Sequence, residues 1–136
     1  MKKKRLGYFE YDPVIYPRKI WVHIWTDFKE LAPKVFDDIE FGDKEYYGVV
    51  YGEVARKTDG MLGILASFPY VKDMTMKVCS HEASHICDAI EDAVGIRHGG
   101  EPSAYLLGWI ADCVNKARLG IGDFVEVKDI KVKKKK

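Results

Sequence analysis

The sequence predicts an α+β fold: a small twisted, mainly antiparallel sheet with one N-terminal helix, followed by two long helices. Three observations predict it. Strand-like alternation of aromatic and β-branched residues fills the first half, one short helical segment interrupts it, and the second half has helical periodicity. With 136 residues, 47% of them hydrophobic, the chain is long enough to bury one core.

The first strands are predicted within residues 8–25. In 20–25, Ile and Val alternate with Trp and His, which is typical of a strand covered on both faces. His23 lies inside this strand beside two tryptophans, so it is interpreted as a packed histidine. Thr26 is then predicted to cap a helix within 26–40, with apolar residues at helical spacing, although Pro33 interrupts the pattern.

Two more strands are predicted at 46–57 and 61–68, joined by the turn sequence Thr-Asp-Gly at 58–60. The segment 123–132 fits either a short strand or a loop. Together these segments complete the strand-rich half of the fold.

Two long helices follow. Asp73 or Thr75 can cap the first, which is predicted to run to about Val94 and to end at Gly95. The second opens at Glu101-Pro102 and ends at Gly120, because proline suits a first helical turn and glycine a helix end.

Charge divides the chain into three parts. Residues 1–5 form a basic tail and residues 128–136 a Lys-rich tail, while the predicted single domain, 6–127, holds 12 basic against 20 acidic residues. The tails are interpreted as solvated ends, with weak nucleic-acid contact as the alternative.

The three cysteines are odd in number and form no CxxC, and no apolar run suits a signal peptide or a membrane span. These features predict a cytoplasmic protein with free thiols and no membrane contact.

The sequence His81-Glu82-Ala83-Ser84-His85 fits the pattern H-E-x-x-H. Imidazoles at positions i and i+4 of a helix project from one face and can converge on a single Zn²⁺ ion. The glutamate between them can hold and deprotonate a water that the metal activates. The alternative is that both histidines are exposed polar residues on an ordinary amphipathic helix.

A zinc site needs a third protein ligand, and Glu101 is the stronger candidate. Asp88 shares the histidine stripe but lies about 10.5 Å along the helix from His81, too far for all three to close on one ion. Glu101 can instead be a carboxylate that complements the dipole of the next helix. His98 and Tyr105 are candidate catalytic helpers that stabilise an oxyanion, with packing or surface roles as the alternatives.

This combination resembles the zincin metallopeptidases, specifically the small gluzincin-like members, which carry H-E-x-x-H on one helix and a glutamate on a following one. The segment from the motif to "GEPSAYLLGWIADCV" is also similar to small phage and prophage proteins of gut bacteria. The resemblance implies a zinc cofactor, a peptide or protein substrate, ligands His81, His85 and Glu101, and Glu82 as general base. It also implies that strand 61–68 is a sheet edge that pairs with extended substrate.

The chain departs from the thermolysin type at Tyr105, where that type has an aspartate that orients a histidine ligand. Metal binding is therefore better supported than peptide hydrolysis. Two functions remain open: a zinc-dependent metallopeptidase, and a non-catalytic zinc-binding protein of phage or interaction type.

Overall fold

The computed structural model describes residues 6–37, 39–41 and 46–127. Three helices, α1 (Phe28–Val35), α2 (Met76–Val94) and α3 (Gly100–Arg118), accompany six strands and a short 3₁₀ turn at Val71–Asp73. The strands are β1 (Gly7–Tyr11), β2 (Lys19–Ile24), β3 (Phe36–Asp37), β4 (Val49–Arg56), β5 (Leu62–Phe68) and β6 (Asp123–Glu126). The predicted α+β class is confirmed, with one helix among the first five strands, two long helices after them, and β6 after α3.

The strands form one sheet in the order β3-β4-β5-β2-β1-β6. Only β2 and β5 pair in parallel among the described strands, and the other neighbours are antiparallel. Trp21 faces α1, while Ile20 and Val22 face the layer of α2 and α3. The sheet is therefore covered on both faces, and the prediction that both sides of β2 are buried is confirmed.

Helix α2 has the ends that its sequence predicts. The Thr75 side chain accepts a hydrogen bond of 3.2 Å from the Val78 amide, and Gly95 ends the helix in the left-handed conformation, with a φ of 76°. Ala83, Ile86 and Ile90 are buried against the sheet, with no exposed area. This packing fixes how α2 is rotated, so the opposite stripe carries its polar residues outward.

Two predicted details of the first half differ. Asp27, not Thr26, precedes the first turn of α1: its carbonyl accepts from the Glu30 and Leu31 amides, and its carboxylate binds His23. Pro33 lies inside α1, where it lacks the amide N–H that an interior helix residue donates to the carbonyl four residues earlier. His23 is fully buried, which confirms its interpretation as a packed histidine.

The expectation that strand 61–68 forms a sheet edge is wrong. This segment, β5, pairs with β2 on one side and with β4 on the other. The hairpin turn at 58–60 makes β4 its neighbour on one side, and the parallel pairing with β2 covers the side that an edge strand would leave open. At the other end of the sheet, the open choice for residues 123–132 is resolved in part, since Asp123–Glu126 form a strand against β1.

Both charged tails lie outside the described residues, so their predicted weak contact with nucleic acid stays a prediction. A salt-dependent DNA-binding assay on the chain with and without residues 128–136 would test it. In the part that the structure describes, no helix is both long and apolar enough to cross a lipid bilayer.

A charged network joins the strands on the α1 face. The Arg56 guanidinium donates to Glu10 at 2.6 Å, donates to Asp59 through two nitrogens at 3.1 and 2.8 Å, and lies over the Trp21 ring. The arginine side chain is only 15% exposed. Burial raises the pKa of Glu10, but hydrogen bonds from Trp21 and Arg56 outweigh it and hold that pKa below its usual value.

Replacing Arg56 by methionine is expected to lower the free energy of unfolding by about 2 kcal/mol at pH 7, because the half-buried Glu10 carboxylate then loses its closest cation, Arg56 at 2.6 Å, and keeps only Lys19 at 3.5 Å. A carboxyl whose pKa is lower in the folded than in the unfolded protein stabilises the fold at pH values above the unfolded-state pKa. This stabilisation is lost as the pH falls through the pKa of the folded state. Urea unfolding at pH 7 and pH 3 should therefore show the two proteins converging at low pH. Lys116→Gln, which breaks an exposed pair with Asp112, should change little.

Candidate active site

An open groove separates the polar stripe of α2 from the beginning of β4. Its volume is about 430 Å³. The β4 side supplies small or apolar residues, and the α2 side supplies mostly titratable ones. The lining residues are Gly48, Val49, Val50 and Gly52 on the first side, and His81, Glu82, His85, Asp88, Ala89 and Asp92 on the second. The H-E-x-x-H motif thus lies in a groove that solvent can enter.

The two motif histidines meet in this groove. The Nε2 atoms of His81 and His85 are 3.2 Å apart, and their rings are nearly perpendicular, at 80°. Two nitrogens that bind one zinc ion tetrahedrally, each at about 2.1 Å, are separated by about 3.4 Å. The pair therefore fits a shared divalent ion, and in its absence one neutral ring can donate to the other.

Glu82 lies beside the pair with its side chain largely enclosed. The residue is 7% exposed, and burial raises the pKa of its carboxyl, against the opposing effect of His81 and His85. Gly48 makes room for it: a Cβ atom at this position would lie 2.8 Å from the Glu82 Cγ atom. A carboxylate with a raised pKa beside two imidazoles is better suited than an ordinary one to accept a proton and to return it.

Glu101, the predicted third ligand, is not with the histidines. Among the described residues, the only group of three or more metal-binding side chains within 4.8 Å of one another is Asp88, Glu91 and His98. Helix α2 continues to Val94 and α3 returns antiparallel, with the Ser103 carbonyl beside Cys87. The first turn of α3 therefore lies past His85, near the C-terminal end of α2, and Glu101 is exposed there.

The two predicted helpers also lie elsewhere. Tyr105 is 76% exposed and lines a separate groove with Pro13, Ile15, Tyr16 and Trp109. His98 binds carboxylates near the end of α2. Neither residue lines the groove of the histidine pair. The oxyanion role expected of them has no support in this arrangement.

The sequence reasoning missed the β4 wall of the groove. Gly48 and Gly52 carried a usable signal, since a glycine in or beside a strand often marks the close approach of another element. Gly48 meets the side chains of Glu82 and Phe68, and Gly52 faces Ala89 on α2. Asp88 was recognised in the sequence as part of the stripe of His81 and His85. That it would lie close to Glu91 and His98 was not recognised.

Comparison of the chain with protein-family models, with curated proteins and with solved structures finds no match. The function is therefore inferred from the residues and their geometry. The resemblance to zincins stays a prediction.

Proposed function

We propose that this protein is a zinc-dependent hydrolase of peptide or amide bonds, with His81 and His85 as metal ligands and Glu82 as general base. One observation carries the proposal. The Nε2 atoms of the two histidines converge to 3.2 Å in an open groove that the largely enclosed Glu82 also lines. Helical spacing alone would bring the rings near each other, but it would not enclose the glutamate or open the groove.

The metal would supply Lewis acidity, polarising the scissile carbonyl and lowering the pKa of water. The chain supplies the remaining steps. Glu82 takes a proton from the attacking water at its carboxylate and then delivers that proton to the leaving amine. The small residues of β4 leave the opposite wall accessible, so that an extended substrate has room between the strand and α2.

A second candidate is a protein that holds zinc without catalysis. The positions of Tyr105 and His98 favour it, because both predicted oxyanion donors lie outside the groove. A hydrolase would cleave a peptide library when loaded with zinc, whereas a non-catalytic protein would not. For either function we propose a cytoplasmic location, supported by Cys79, Cys87 and Cys113, which are free thiols.

Metal analysis tests the shared part of both proposals. Protein purified without added metal is expected to contain zinc, and His81→Ala and His85→Ala should each remove one equivalent, because a single imidazole cannot hold the ion alone. Elemental analysis of the purified proteins measures this. Ser84→Ala, an exposed change on the same helical turn, is the matched control and should keep its zinc. Equal zinc in all four proteins would contradict the assignment.

A further inference from the structure

A second group of metal-binding side chains lies at the C-terminal end of α2, outside the H-E-x-x-H motif. The His98 ring sits among three carboxylates there. Its Nδ1 atom is 2.5 Å from Glu91 Oε1 and 3.5 Å from Asp88 Oδ1, and its Nε2 atom is 3.0 Å from Asp92 Oδ1. One ligand atom each from Asp88, Glu91 and His98 lies within 4.8 Å of the others.

Glu91 makes this group more than a surface cluster. Its side chain is 1% exposed, and glutamate is rarely buried to this extent without a compensating charge. Oε1 contacts His98, whereas Oε2 is buried without a well-formed hydrogen bond; burial raises the pKa of this carboxyl, but the nearby Ser103, His98 and Cys87 side chains outweigh it and hold that pKa below its usual value. A buried carboxylate oxygen next to an open cluster is a position that a cation would satisfy.

The charges at this site favour a cation. Asp88, Glu91 and Asp92 bring three negative charges to a single imidazole. Among the described residues, no lysine or arginine forms an ion pair with any of the three. Even with His98 protonated, the group keeps a surplus of negative charge, and a divalent ion would neutralise it.

We propose that Asp88, Glu91 and His98 form a second binding site for a divalent transition-metal ion. Two carboxylates and one imidazole are donors that Zn²⁺ and Mn²⁺ both accept. A metal that binds His98 at Nδ1 takes the place of the proton shared with Glu91, so that binding releases this proton. The site uses none of the residues of the proposed catalytic pair and does not depend on the proposed function.

Zinc binding to the variant His81→Ala/His85→Ala isolates this site. Titration calorimetry of the metal-free variant with Zn²⁺ alone is expected to show one bound equivalent. Adding Asp88→Asn or His98→Gln to that variant should remove the equivalent or weaken binding by at least about tenfold. Adding Asp112→Asn, an exposed acidic residue on α3, is the matched control and should leave binding unchanged.

Asp88 is 58% exposed, so its replacement should leave the fold intact, and far-ultraviolet circular dichroism verifies this for every variant. The inference is overturned if the double-histidine variant binds no zinc, or if folded Asp88→Asn binds it as before. Failure of the proposed function has a different signature. If His81 and His85 bind no zinc, replacing both would leave the zinc content of the protein unchanged, while replacing Asp88 or His98 would lower it.

Discussion

Glu82→Gln is expected to abolish peptide hydrolysis while leaving the zinc content unchanged. The amide has nearly the same shape as the carboxyl but cannot accept a proton, so only the general base is lost. Such a loss lowers the rate by on the order of 10²- to 10⁴-fold. The geometry supports the separation of the two effects, because Glu82 lies beside the two Nε2 atoms and is enclosed by Gly48 and the helix.

The measurement is cleavage of a fluorogenic peptide library by zinc-loaded protein, with metal content determined on the same samples. Ser84→Ala is again the control, since it changes an exposed residue of the motif without touching the proposed base. If the Glu82→Gln protein cleaves as fast as the wild type, the proposed mechanism is wrong. If zinc-loaded wild type cleaves nothing, the non-catalytic alternative is favoured.

Gly48→Ala is expected to disturb both the site and the fold. The added Cβ atom would lie 2.8 Å from Glu82 Cγ and 2.8 Å from Phe68 Cε1, closer than real contacts allow. Phe68 is fully buried and cannot move freely, so the strain falls on the glutamate and on the packing of α2 against the sheet. We expect the free energy of unfolding to fall by up to about 3 kcal/mol, and hydrolysis to fall with it.

Gly52→Ala is the matched control, four residues further along the same wall. Its Cβ atom would meet only the Ala89 Cβ atom at 3.6 Å, an ordinary van der Waals contact. Chemical denaturation and peptide cleavage of both variants should separate the two glycines. Similar stability and activity in Gly48→Ala and wild type would show that Glu82 is not confined as described.

The helix that carries the histidines was predictable because its signals are local. A cap at Thr75, a glycine at position 95 and an apolar stripe specify α2 from neighbouring residues alone. The convergence of His81 and His85 follows from the same helical geometry.

The order of the strands could not be predicted in this way. Alternation shows that both faces of a strand are covered, but it does not say which strand lies beside it. The expectation that β5 is a sheet edge came from the resemblance to zincins, and the strand order contradicts it.

Contacts between distant segments explain the other differences. Whether Glu101 reaches the histidines depends on where α2 ends and how α3 packs on it, and neither is encoded in the spacing of the motif. The β4 wall depends on the sheet order in the same way. Local sequence thus specified the helix, its paired imidazoles and the α+β class. The enclosure of Glu82, the separation of Glu101 and the meeting of His98 with Glu91 arise from long-range packing, because each depends on how whole elements bury their apolar faces.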